Sequence, residues 1–324
     1  MRKTIHWVFA LSLFFTACDN TLDITGPAKE TMIVYSLIDK ADSIHYVRVN
    51  KGFISEDVAP IELAKDADQL FFDSLDVTVK NLGTGEVFSL AKQSIEKNEG
   101  VFNSAVNYVY SFQHKFTEGT QLLVTVHNPL SGVTATGRTF LVGDPTLTSP
   151  SPTTINTFNF EPDINFFIGF TGHRDAVEYE AKIGLVYDET DINSQAETRD
   201  TLWWNFARGK FGDLTRVSIR TDGQIFYDYL ASRLEQKGSN IKRKGIAIVY
   251  ELWQGDEEMS IYSEVFDNSS IGIVQKKQDY TNVENGYGLI GSRTRTNLYG
   301  TAINGKVQTQ LQTNPVMTRF NFAD

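Results

Sequence analysis

The sequence predicts a mainly β protein: an immunoglobulin-like β-sandwich over residues 31–142, then a second β-rich domain over 158–324 carrying one or two helices. Three observations predict it. Short segments alternate apolar and polar residues with period two, the mark of half-buried strands. They recur every ~8–12 residues between polar turns, as in a sandwich. Residues 143–157 (GDPTLTSPSPTTINT) then interrupt the pattern with three of the chain's eight prolines and several Ser and Thr residues, the composition of a linker. The 324 residues are 41% hydrophobic and 22% charged, which fits a globular chain and excludes a disordered or polytopic membrane protein.

In chain order, Met32–Ile38 is rich in β-formers, and Ile44–Val49 alternates after a turn at Asp39–Ser43. The run 54–72 reads as a long insertion. Leu75, Val77 and Val79 share one face of the next strand, and Asn81–Gly85 turns it into Val87–Leu90. Tyr108–Phe116 and Leu122–His127 follow, and Asn128–Gly132 leads into Val133–Val142. In the second half, Val177–Ile183 has one apolar and one charged face and continues to Tyr187. Thr201–Phe206, Leu214–Arg220 and Gly245–Trp253 are further strands, and 286–322 returns to strands. The clearest helix lies near 222–237. Thr221 and Gln224 form a capping-box pair ahead of Ile225, Phe226, Tyr229, Leu230 and Leu234 on one face, with Gly238 at the C-terminal cap. A shorter helix is expected over 257–266.

The first residues read as an address. Arg2 and Lys3 precede an almost unbroken apolar run of thirteen residues, Ile5 to Ala17. A bilayer-spanning helix needs ~20, so the run fits the apolar region of a secretory signal over 1–17. Phe15-Thr16-Ala17-Cys18 resembles the lipobox of bacterial lipoproteins, with Phe15 where Leu is usual. The resemblance implies that Cys18 becomes the lipidated first residue of the mature chain. Each buried acyl CH₂ adds ~0.8 kcal/mol to such an anchor. Residues 18–30, polar and containing Gly26-Pro27, read as a flexible tether. The expected location is the bacterial cell envelope, lipid-anchored in the outer membrane.

Thirty Lys and Arg against forty Asp and Glu leave a net charge of −10, which opposes binding to a phosphate backbone; no nucleic acid is expected. A single cysteine excludes an internal disulfide framework and Cys-rich zinc sites. There is no G-x-S-x-G, H-E-x-x-H or Gly-rich phosphate loop, so neither an enzyme nor a cofactor is implied. His45, His114, His127 and His173 lack local zinc spacing. Asp188-Glu189-Thr190-Asp191 and Asp256-Glu257-Glu258 are acidic clusters. Calcium at Asp188 and Asp191 is one reading of the first, and a solvated loop is the better one. For the second, acids at a helix N-terminus fit. Trp203, Trp204 and Trp253 either fill a core or form a sugar-stacking platform, and the core reading is favoured. Lys242-Arg243-Lys244 and the pair Arg293 and Arg295 read as solvated edge charges.

The lipobox cysteine, the strand Met32–Ile38, the run His45-Tyr46-Val47-Arg48-Val49-Asn50-Lys51-Gly52-Phe53 and the late segment 280–293 (YTNVENGYGLIGSR) together resemble the envelope lipoproteins grouped as domain of unknown function 4249. The resemblance spans most of the mature chain, and the late segment is its distinctive part. It implies an extracytoplasmic, largely β protein with an immunoglobulin-like first half, and it associates the chain with an outer-membrane protein partner. It carries no catalytic residues. Within the late segment, Asn285-Gly286 favours a tight turn and Gly288 permits close backbone approach. That is either a structural turn or a surface for a partner's backbone. The leading expectation is a lipid-anchored, non-enzymatic binding or accessory component of an outer-membrane receptor or transporter. The alternative is a carbohydrate-binding module or weak glycoside hydrolase using Trp203, Trp204 and Trp253.

Overall fold

A computed structural model describes residues 31–52, 60–63, 65–96, 106–212, 215–267 and 280–323, which fall in the compact unit Thr31–Asp324. Cys18, the leader 1–17 and the tether 18–30 lie outside the described residues. The protein is mainly β. Its first half contains β1 (Thr31–Ile38), β2 (Ile44–Gly52), α1 (Pro60–Leu63), α2 (Ala67–Leu70), β3 (Asp76–Asn81), β4 (Val87–Ser89), β5 (Ala91–Ser94), β6 (Tyr108–Gln113), β7 (Gln121–His127) and β8 (Thr134–Phe140). There follow β9 (Thr146–Ser149), β10 (Asn165–Thr171), β11 (Glu178–Asp191), β12 (Glu197–Lys210), β13 (Arg216–Asp222) and α3 (Gly223–Arg233). The chain continues with β14 (Ile241–Gly255), α4 (Glu257–Asp267), β15 (Val283–Glu284), β16 (Tyr287–Tyr299) and α5 (Gly305–Thr313).

Eight strands form one sheet in the order β12-β11-β14-β16-β1-β2-β6-β5; five form a second, β15-β8-β7-β3-β4; and three form a third, β13-β10-β9. Alternation sets each strand's inner face. On β1, Met32, Val34 and Ile38 are buried while Tyr35 and Leu37 are exposed. The first core sits between β1, β2 and β6 on one side and β3, β7 and β8 on the other, with Val47, Val49, Val77, Val79, Leu122 and Val124 at its centre. Each such side chain contributes roughly 1.5–3 kcal/mol by leaving water. The second core lies on the inner face of β11, β12 and β14, covered by α3, α5 and the three-stranded sheet.

One strand joins the two halves. The first part of β16 runs parallel to β1, with Val34 beside Gly288 and Leu37 beside Gly291. Its second part runs antiparallel to β14, with Arg295 beside Trp253. The first core therefore draws on Val283 and Ile290 as well as on residues before 142. The Pro-rich segment 143–157 contains β9, which pairs with β10, and a 3-10 turn at Ile155–Thr157.

Two local expectations need correction. The cap of α3 is Asp222 rather than Thr221: its Oδ1 accepts from the Gln224 N–H at 2.6 Å. Gly223 opens the helix against the Glu161 carbonyl, where a Cβ would collide with backbone. The buried face is consequently Phe226, Tyr227, Leu230, Ala231 and Leu234, and Ile225 is exposed. The helix stops at an extended Leu234, so Gly238 is not its cap. Second, the chain after β16 forms α5, capped by Asn304 and buried through Val307 and Leu311 alone. Two apolar residues in nine leave little periodicity to read. The described part of the insertion before β3 holds the short helices α1 and α2.

Candidate functional site

The outer face of the eight-stranded sheet carries two of the three tryptophans that the sequence marks for binding. Adjacent residues on a strand point to opposite faces, and this separates Trp203 from Trp204. Trp204 is buried on the inner face, 5.8 Å from the Tyr229 ring and 6.0 Å from Phe226 of α3. It is a core residue. Trp203 is 37% exposed on the outer face. It lies across from Gly184, where a Cβ would stand 2.6 Å from Val249 and 3.1 Å from the indole, so the glycine makes room for the ring.

Trp253 also faces outward, on β14 between Glu180 of β11 and Arg295 of β16. The guanidinium carbons of Arg293 and Arg295 lie 4.5 and 5.0 Å from its ring centroid, within cation–π range. Its indole N–H donates to the Glu251 carboxylate at 2.5 Å. Glu251 is also 4.0 Å from both Lys182 and Arg295, and Lys182 is 3.3 Å from Glu180. The two arginines, read from sequence as solvated edge charges, instead hold a tryptophan in a charged lattice. A groove of about 140 Å³ beside it is lined by Glu180, Arg208, Trp253, Met259 and Arg293. Trp253 aligns with Glu180 and Trp203 with Gly184 on β11, four residues or ~13 Å apart along the strand. The three tryptophans therefore make no continuous platform.

Further along the same face, Tyr35, Leu37, Ile44 and Tyr46 of β1 and β2 are each 37–41% exposed. Tyr262 of α4 meets the Tyr35 ring edge-on at 6.3 Å. The distinctive late segment adjoins this strip from below. Asn285 adopts a left-handed conformation at φ 56°, and Gly288 has φ 119°. A Cβ at Gly288 would collide with the Val34 carbonyl oxygen, and one at Gly286 would stand 2.8 Å from the Met32 carbonyl oxygen. The backbone that these glycines admit is β1 of the same chain. Asn282 pins the turn by accepting from the Ile290 N–H at 2.9 Å and donating to the Ile290 carbonyl at 2.7 Å.

The acidic clusters are engaged internally. Asp188 accepts a two-pronged interaction from Arg199 at 2.6 and 2.8 Å, which holds its carboxyl below the usual range. Asp191 accepts from the Asn193 N–H at 2.8 Å and shapes the turn after β11. Glu189 points to the other side and meets Lys237 at 2.5 Å and Arg243 at 3.0 Å. Among the described residues, no group of three or more His, Cys, Asp or Glu converges. Arg243 is another correction: it is 2% exposed because the C-terminal segment bridges to it at Phe322, and it also donates to the carbonyls of Phe320 and Glu235.

Asp256 is the buried acid that composition does not reveal. It caps α4 by accepting from the Met259 N–H at 2.9 Å, and its other oxygen accepts from the Ser292 N–H at 2.8 Å and the Thr139 hydroxyl at 2.9 Å. One carboxyl thus ties together β8, β16 and α4. Burial pushes its pKa up to about 6 against these three hydrogen bonds, and the nearby Glu258 adds to the rise. Its signal in the sequence is an Asp just before an acidic helix start, which identifies the cap and leaves the burial unseen.

No protein-family model matches the chain, and no curated protein does. Among solved structures, a crystal structure of the C-terminal globular domain of an oligosaccharyltransferase from Pyrococcus abyssi is similar at 10% identity and a TM-score of 0.19, covering 87% of this chain. The chain spans about half of that structure, 52% of its length.

Proposed function

We propose that the protein is a lipid-anchored, non-enzymatic component of the bacterial cell envelope, held at the outer membrane through Cys18, that binds another envelope protein as an accessory subunit. The observation that carries this reading is the N-terminal order of residues: two cations, the apolar run Ile5 to Ala17, and the chain's single cysteine directly after it. The likeness of segment 280–293 to lipoproteins of domain of unknown function 4249 supports it. So does the outer sheet face, where Tyr35, Leu37, Ile44 and Tyr46 lie exposed on neighbouring strands. Large aromatic and aliphatic side chains gathered on one face are the usual material of protein interfaces.

The test has two parts. Cys18→Ala should move the protein from the membrane fraction to the soluble fraction, and its persistence in membranes would refute the anchor. The intact protein, purified from gently solubilised membranes, should carry a stoichiometric outer-membrane barrel identifiable by mass spectrometry. Purification alone, with no partner at comparable amount, would refute the accessory role.

A further inference from the structure

On the inner face of the large sheet, β11 and β12 run on past the end of α3. The helix closes at Arg233 and the chain leaves it extended at Leu234, so α3 does not reach over the last part of β11 and β12, where Tyr187 packs against Phe322 instead. A cleft of about 530 Å³ opens there, within the ~300–1,000 Å³ range of small-ligand sites. The inward-facing residues change character at the same point. Ile183 and Leu185 give way to Tyr187 and Glu189, and opposite them stand Leu202 and Asp200.

One wall is a fixed aromatic ring. Tyr229 donates its hydroxyl to the Trp203 carbonyl at 2.9 Å and stacks on Trp204 at 30°. Held at its edge and on one face, the ring is preorganised toward the cleft. One turn on, the Arg233 guanidinium stands over part of the Tyr229 ring in a cation–π contact, its carbon 5.7 Å from the centroid, and it has no acidic partner among the described residues. Across the cleft, Asp200 accepts from its neighbouring Thr201 N–H at 2.7 Å and, weakly, from the Tyr187 hydroxyl at 3.4 Å, with no cation beside it among the described residues. Glu189 is already matched by Lys237 and Arg243. The cleft therefore presents three kinds of offer: an aromatic face, an unmatched guanidinium, and the carboxylates of Asp200 and Glu235, neither with a cation beside it among the described residues.

A ligand that answers all three has an apolar C–H face, hydroxyl donors and an anionic group. An aromatic acid lacks the hydroxyls, and a neutral sugar leaves the guanidinium unanswered. We propose that this cleft binds an acidic saccharide unit, a hexuronic or sialic acid, with Tyr229 stacking on its C–H face, Arg233 pairing with its carboxylate and Asp200 accepting from its hydroxyls. The site goes beyond the envelope reading and does not depend on it, since none of its residues belongs to the leader or to the outer sheet face.

The test uses the full chain in detergent micelles, titrated calorimetrically with trigalacturonic acid, its methyl ester, glucuronic acid and N-acetylneuraminic acid. At least one acid should bind, and the trigalacturonate ester should bind about tenfold more weakly than its acid, as loss of a charge-assisted pair implies. Arg233→Gln, at an exposed position, should abolish the difference between acid and ester while leaving the melting temperature unchanged. Asp200→Asn should weaken acid and ester alike, and Arg216→Gln on β13 should change neither. Flat titrations with all three acids would overturn the proposal. So would equal affinity for acid and ester, unchanged binding by Arg233→Gln, or an acidic hexapeptide binding as tightly as the saccharides.

Discussion

Replacing Asp256 by Asn tests the junction between the two halves, because a single carboxyl there receives donors from β8, β16 and α4. In the folded protein its pKa is about 6, against 3.8 for an ordinary Asp. The native state therefore holds the proton more tightly than the unfolded chain. Stability contributed by this group is full below about pH 4, falls as the pH rises to about 6, and stays level above that. At ~1.4 kcal/mol for each pH unit between the two values, the ionised carboxylate costs on the order of 3 kcal/mol at neutral pH. Asn removes that cost but offers one acceptor oxygen where Asp has two. Either the Met259 N–H or the Ser292 N–H then loses its partner, at ~1–3 kcal/mol at every pH. Asp256→Asn should accordingly be the less stable protein at pH 4 and close to the native one at pH 8. The difference between the two should change by about 2.5 kcal/mol over that range. Urea unfolding followed by tryptophan fluorescence, run on both proteins at intervals from pH 4 to pH 8, measures it. Other titrating groups cancel in the comparison. A stability difference that does not vary with pH would refute the argument that burial dominates at this carboxyl.

Gly288→Ala should destabilise the fold by more than about 3 kcal/mol, because it adds a backbone clash with Val34 to an unfavourable φ of 119°; thermal unfolding reads this out, and a near-native melting temperature would contradict the close approach of β1 and β16. Trp204→Ala should cost ~3–5 kcal/mol and Trp203→Ala about 1 kcal/mol or less, since one ring is in the core and the other is partly in water. Chemical denaturation of both variants checks the contrast, which equal losses would erase.

The strands were legible because their signal is local. Met32, Val34, Val77 and Val79 sit on inner faces where period two puts them, and the second helix after Asp256 starts where its acids indicate. The start of α3 was legible only to one residue. A Thr and an Asp stand side by side before the helix, and what selects Asp222 is the fit of Gly223 against the Glu161 carbonyl, a contact across 62 positions of the chain. At the candidate site, sequence placed Trp203 and Trp204 on opposite faces of a strand and could not say which face is covered. It grouped Arg293 and Arg295 with the solvated charges, because their partner Trp253 lies on another strand. Arg243 was hidden in the same way inside a basic trio whose neighbours remain outside.

The mainly β class and the approximate strand positions rest on patterns within about twenty residues, and these are readable before the chain folds. Partnership between distant segments is fixed only in the folded chain. β16 changes neighbour midway, from β1 to β14, and so runs one sheet through both cores. Asp256 becomes a buried acid only when Thr139 and Ser292 arrive from distant strands. The cleft beside Tyr229 exists because two strands outrun a helix. Pairing and burial are set by contacts between segments remote in the chain, and their energies depend on neighbours that local periodicity does not encode.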